Sequence, residues 1–165
     1  MRRSDREITD IPAILGIISE CAVCRLGMAL NNMPYVVPLN FGWVYEDQEL
    51  SLYFHGAREG HKLDILRQNP EVCVEMDTGH QLIPGDTAGK YGYAYRSVIG
   101  FGTVEFVGDA AEKVRGLTAL MHHQTGRDGN DGGHWQFSPA DLDRVCVYKA
   151  RLRSFTAKSR PLPPR

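Results

Sequence analysis

Long apolar runs are missing from this 165-residue chain. None approaches the ~20 residues that a membrane helix needs, and no signal-peptide pattern opens the sequence. A cytoplasmic home, away from membranes, is therefore expected. Excess charge is missing too. Nineteen Lys and Arg against 20 Asp and Glu leave a net charge of -1, which gives no bulk attraction to nucleic acid or to anionic lipid. Basic residues do gather at Arg2, Arg3 and Arg6 and again at Arg151, Arg153, Lys158, Arg160 and Arg165. They read as solvated termini.

Cysteine is scarce, at positions 21, 24, 73 and 146 only. In a cytoplasmic chain of this size these are reduced thiols rather than a disulfide framework. Cys21-Ala22-Val23-Cys24 has redox spacing, but a redox pair opens a helix and this one straddles a helix end and a strand start. Packing is the better reading. No second C-x-x-C or C-x-x-H completes a zinc site. His122 and His123 point about 100° apart on a helix, so with His134 they read as solvated or hydrogen-bonded rather than as a metal site. No G-x-G-x-x-G follows a strand, which excludes a Rossmann unit. Neither internal repeats nor a low-complexity segment is present.

What remains is ordinary globular composition, 42% hydrophobic and 24% charged, expected to form one domain over 1–165. Asp10 or Thr9 can cap a first helix carrying Pro12 in its opening turn, with Ile11, Ile14, Leu15 and Ile18 on one face. Strands follow at about Val23–Met28, Tyr35–Tyr45 and Leu50–His55. The short helix Lys62–Gln68 stops before Pro70. Val72–Met76 reads as a fourth strand, residues 78–92 as a long loop, and Tyr95–Val107 as a fifth strand with a bulge or close approach at Gly100 and Gly102. An amphipathic helix spans about Asp109–Gln124, residues 125–131 form a loop, and Ser138-Pro139 starts a further helix. A sixth strand, Val145–Phe155, leads to a mobile Pro-rich tail within 150–165. The fold class expected is mostly β, a six-stranded antiparallel barrel with peripheral helices.

The most informative segment is Leu52–Asp64. An apolar run ends in His55, passes through the glycine-bracketed loop Gly56-Ala57-Arg58-Glu59-Gly60, and enters a helix carrying His61 and Lys62. Amide N–H groups and cations thus converge at one helix N-terminus, which suits an anion and above all a phosphate. The competing reading is a solvated basic loop whose Lys and Arg cover apolar surface. His55 could be a neutral, hydrogen-bonded core histidine, or it could contact a cofactor and transfer a proton near neutral pH. Trp135 and Phe137 either anchor their loop or reach over a partner's site.

Several stretches in order resemble the pyridoxamine 5'-phosphate oxidase-like, FMN-binding split-barrel superfamily, and within it the nitroimidazole-resistance-protein branch. They are Met1-Arg2-Arg3, Asp5-Arg6-Glu7-Ile8, Cys24-Arg25-Leu26-Gly27, Pro34 to Gly42, the Leu52–Asp64 segment, and Tyr95-Arg96-Ser97-Val98-Ile99-Gly100-Phe101-Gly102, with a weaker echo at Phe155-Thr156-Ala157-Lys158. The resemblance implies a homodimer with two FMN sites at the subunit interface. It implies that His55, Gly56, Gly60, His61 and Lys62 hold the phosphate, that Val37, Pro38, Leu39 and Asn40 run along the flavin ring, and that Arg96 and Ser97 reach the flavin or its phosphate. His55 resembles a histidine tied to redox chemistry beside the flavin. A cysteine that often precedes the Tyr-Arg-Ser motif in that branch has no counterpart in Ala88–Tyr93, so substrate identity departs from the pattern.

The function expected is an FMN-dependent oxidoreductase that passes electrons from transiently bound NAD(P)H to a small acceptor, nitro-compounds included. The alternatives are a flavin- or haem-binding module without robust turnover, and a deazaflavin-dependent reductase on the same fold.

Overall fold

The computed structural model describes residues 3–127 and 135–163. Its elements run β1 (Glu7–Ile8), α1 (Ile11–Glu20), β2 (Val23–Leu30), β3 (Met33–Asn40), β4 (Gly42–Glu46), β5 (Glu49–Gly56), α2 (His61–Gln68), β6 (Glu71–Ile83), β7 (Gly92–Phe106), α3 (Ala110–Thr125), α4 (Pro139–Arg144) and β8 (Cys146–Arg160). All strand pairings are antiparallel, in the order β3-β2-β6-β7-β8-β5-β4, with β1 added along β8. The first and last strands of that path are consecutive in the chain, with only Phe41 between them. The sheet must therefore roll until its two edges approach, which leaves a barrel split between β3 and β4. Leu26, Leu50, Leu52, Phe54, Val74, Met76, Val98, Tyr148 and Ala150 fill its interior.

Local chemistry explains the helix starts. The Asp10 carboxylate accepts from the Ala13 amide at 2.9 Å, and Pro12 sits in the opening turn of α1, where its missing N–H costs nothing. Ser138 and Asp141 form a reciprocal capping box ahead of α4. Gly126, left-handed at φ 66°, ends α3. Among the described residues no helix is long and apolar enough to cross a membrane.

Eight strands are present among the described residues where six were expected. Tyr35–Tyr45 is two strands, because Phe41 and Gly42 are both buried and the alternation of faces slips there. A Cβ on Gly42 would sit 2.2 Å from the Leu120 amide nitrogen, so only glycine lets α3 lie on β4. The two-residue β1 is too short for any periodicity. The segment 78–92 is largely a hairpin rather than a long loop. β6 continues to Ile83 through a register shift between Thr78 and Gln81, and β7 resumes at Gly92. Its residues 79–82 are exposed, so no apolar alternation marks them. The tail is also shorter than expected. β8 continues to Arg160, held by β1 and β7, with Ala157 fully buried. Of the bulge or close approach expected at Gly100 and Gly102, the close approach is found: a Cβ on Gly102 would lie 2.0 Å from the Arg151 carbonyl oxygen, and the register shift there, between Phe101 and Gly102, leaves the extra residue, Arg153, on β8.

Candidate functional site

The site begins where β5 leaves the barrel. Leu52 and Phe54 are buried, His55 and Gly56 are half-buried, and residues 57–60 are exposed. The loop then enters α2, held rigidly by buried Leu63, Ile65 and Leu66. Gly60 is the N-cap at φ 139°, a conformation that glycine alone reaches without strain, and its carbonyl accepts from the Leu63 amide at 2.8 Å. No side chain caps α2. The first-turn amides at His61 and Lys62 therefore join the loop cations as donors for an anion. Lys62 folds back over the loop, its Nζ 3.5 Å from the position a Cβ on Gly56 would occupy.

His55 carries a direct sign of an unfilled role. Its Nδ1 is shielded from water and has no hydrogen-bond partner among the described residues. Burial, and secondly the Lys62 charge, hold its pKa below the ordinary histidine range, so the ring is neutral near pH 7. A neutral imidazole with a buried open nitrogen can accept or donate one hydrogen bond to a ligand arriving at the loop.

β3 supplies the wall next to this loop. The Tyr35 ring meets the His61 ring edge-on at 4.9 Å, which fixes the start of β3 against α2. Val37 and Leu39 pack partly on the core, while Pro38 and Asn40 are exposed. Among the described residues β3 ends the sheet path and pairs only with β2, so its outer edge has no strand partner there. Pro38 is tolerated on such an edge.

Arg96 and Ser97 lie elsewhere. The Arg96 guanidinium makes a bidentate pair with Glu20 at the end of α1, and Ser97 pairs in register with Asp77 and Lys158. Phe106 marks the end of β7 nearest the β5–α2 loop, and Arg96 lies ten positions away along the same strand. That is on the order of 30 Å of strand. One chain therefore brings His55, Gly56, Gly60, His61 and Lys62 together, with Val37–Asn40 running away from them, but not Arg96 and Ser97.

The other singled-out residues have local partners. Burial pushes the Cys21 thiol up to about 11 and the Cys24 thiol up to about 12, and all four cysteines are free. His123 Nδ1 contacts the Phe41 carbonyl at 2.7 Å and His122 Nδ1 the Arg127 carbonyl at 3.0 Å. His134, Arg2, Arg165 and residues 128–131 lie outside the described residues. Phe137 packs against the small cluster of Leu117, Leu142 and Val147. Trp135 buries an indole N–H that has no partner among the described residues.

Two features had no signal in the sequence. Arg67, Lys113 and Cys146 meet Arg58 around one cleft, because Cys146 pairs in register with Gly56. Tyr53 and Lys149 both donate to the Glu112 carboxylate, at 2.6 and 2.9 Å. Neither follows from spacing along the chain. Both depend on which strands β8 joins.

Residues 10–159 match the family described as pyridoxamine 5'-phosphate oxidase. A candidate 5-nitroimidazole antibiotic resistance protein from Bacteroides thetaiotaomicron shares 32% identity over 93% of this chain and 86% of its own, with a TM-score of 0.76. A flavocytochrome from Azotobacter vinelandii, at 19% identity, covers all of this chain and 74% of its own with a TM-score of 0.80. An FAD- and haem-binding protein from Mycobacterium smegmatis, at 18% identity, covers 97% and 76% with a TM-score of 0.81. These last two share the fold. No curated protein shows significant similarity.

Proposed function

This chain belongs to the pyridoxamine 5'-phosphate oxidase family, and from that premise we propose that it is a flavin-dependent oxidoreductase holding an FMN unit at the β5–α2 loop. NAD(P)H would be the transient electron donor, and a small molecule such as a nitro-compound the acceptor. The observation that carries this reading is the buried, unpartnered His55 Nδ1 beside an uncapped helix start and the Lys62 ammonium. The relative named for 5-nitroimidazole resistance supports the choice of acceptor.

The residues divide the work by their chemistry. Lys62, the His61 and Lys62 amides and the glycine-lined loop bind phosphate, at about 1.5–3 kcal/mol for each charge-assisted bond. The outer edge of β3 at Val37–Asn40 offers backbone groups to the polar rim of the ring. His55, neutral near pH 7, can hold a proton donor or pass a proton at the mouth of the site. The flavin, when bound, supplies the hydride chemistry.

A homodimer belongs to the same proposal. Arg96 and Ser97 can share a flavin with Lys62 only if a second copy places its far end over the loop of the first. The outer face of β3, β6 and β7 offers an apolar surface for that contact, with Val36 59% and Phe101 54% exposed around a shallow hollow that also holds Gly27 and Cys73.

A visible spectrum of the purified protein, taken after FMN is added and excess removed by gel filtration, tests this. Flavin absorbance co-eluting with a dimer-sized peak is the expected result. A colourless protein that cannot retain FMN would sink the proposal. Retention of haem instead would favour a binding module, and preferential retention of deazaflavin a reductase of another specificity.

A further inference from the structure

A carboxylate closes α1 where helix chemistry disfavours one. Glu20 is the last residue of that helix, no basic residue sits in the last turn, and a negative charge there meets the negative end of the helix dipole. The fold gives Glu20 another partner. Its two carboxylate oxygens accept from Nη1 and Nη2 of Arg96 at 2.7 and 2.5 Å, a fork that joins the end of α1 to β7.

The guanidinium is bounded on a second side. Gly79, left-handed at φ 69°, lies in the register shift of β6 between Thr78 and Gln81, and a Cβ there would stand 3.2 Å from Arg96 Nε. A larger residue would be strained in that backbone and would press on the guanidinium. Asp77, the acid two positions before Gly79, is already taken by Arg25 at 2.5 Å and by His80 at 2.6 Å. Glu20 and Gly79 together therefore fix the Arg96 plane, while the side chain stays 39% exposed, so the edge that Glu20 does not cover meets solvent.

A guanidinium paired in this way is a directed donor whose charge is already balanced. It suits an uncharged acceptor such as a ring carbonyl. A phosphate dianion would instead face the Glu20 carboxylate across the guanidinium, which is a poor seat for it. We infer that Glu20 is a positioning residue: it holds Arg96 to donate to the uncharged pyrimidine edge of a flavin ring, and not to the phosphate, which belongs to Lys62. This deepens the flavin reading and rests on it.

Riboflavin, which has the ring without the phosphate, separates the two contacts. Dissociation constants for riboflavin and FMN are measured by flavin fluorescence quenching in wild type, Glu20→Gln, Arg96→Ala and Lys62→Ala, with the reduction potential of bound FMN as a second readout. Arg96→Ala should weaken both ligands about tenfold and Glu20→Gln both about threefold, whereas Lys62→Ala should weaken FMN alone. The potentials should move in opposite directions. Glu20→Gln leaves the Arg96 charge uncompensated beside the ring and raises the potential, while Arg96→Ala leaves the Glu20 charge alone and lowers it.

A loss of FMN but not of riboflavin in Arg96→Ala would put the guanidinium on the phosphate and overturn the inference. A Glu20→Gln protein that matches wild type in affinity and potential would overturn it too. So would potentials that move the same way in both variants, since the effect would then be structural. Each of these leaves the flavin reading intact. A wild type that binds neither ligand would overturn both.

Discussion

Two clefts of similar size carry three cations each and pair them differently. One, of about 290 Å3, is lined by Arg115, Lys149 and Arg151 together with Glu46, Asp47 and Glu49. Each of its cations has a carboxylate: Arg115 meets Glu46 at 2.6 Å, Arg151 meets Glu49 at 2.6 Å, and Lys149 meets Glu112 at 2.9 Å. In the other, beside the β5–α2 loop, Arg58 and Lys113 meet backbone carbonyls at 3.0 and 3.2 Å, and only Arg67 of its three cations meets a carboxylate, that of exposed Asp64 at 3.2 Å. Cation count and volume do not separate them. Pairing does: every cation of the first cleft has a carboxylate, while among the described residues Arg58 and Lys113 of the second have backbone carbonyls instead.

The sharpest break of this comparison comes at the seat of the paired cleft, where α3 lies on β4. Gly42→Ala would drive a methyl group into the Leu120 backbone, costing about 3 kcal/mol in urea unfolding and leaving flavin affinity per folded molecule unchanged. Lys62→Ala should do the reverse, weakening FMN binding about tenfold or more with an unaltered unfolding midpoint. Unchanged FMN affinity in folded Lys62→Ala would end the phosphate assignment.

Glu112→Gln comes next, at about 1–3 kcal/mol, because it weakens the partner of the Tyr53 hydroxyl and leaves Lys149 unpaired. The hydrogen bond from Tyr53, then that from Lys149, holds the Glu112 carboxyl below its ordinary 4.5. A depressed carboxyl contributes stability that is present above its unfolded pKa and lost as pH falls through the lower folded one. Wild type should therefore lose stability below about pH 4.5, and the variant should lose less across that interval.

His55 gives the smallest effect. Its depressed pKa means that the unfolded chain binds the proton more readily. Stability of the flavin-free protein is then complete above about pH 6.5 and declines as pH falls below it. Melting temperatures of wild type and His55→Gln between pH 7.5 and 5.5 should converge, and parallel curves would remove His55 from the account.

The β5–α2 loop was legible because its parts are contiguous: a strand end, a glycine-bracketed turn and a helix start within ten or so residues. The helices were legible for the same reason, since Asp10, Asp109 and Ser138 act on amides three residues on. What stayed hidden depends on register. Residues 79–82 of the β6 extension are exposed and lack alternation, and Gly42 opens β4 as a glycine because Leu120, far along the chain, lies against it. Arg67, Lys113 and Cys146 become neighbours only because β8 lies between β5 and β7.

The length of β7 has one further consequence. It sets the Lys62 end and the Arg96 end of a single chain on the order of 30 Å apart, so under the proposed flavin site, with both residues on one flavin, a complete site would draw on two copies. Lys62→Ala and Arg96→Ala proteins, each impaired alone, should regain flavin binding when unfolded together and refolded as a mixture. In a hybrid pair both lesions fall in one site and the other site is wholly wild type, so the shortfall of each gene product is made good by the other.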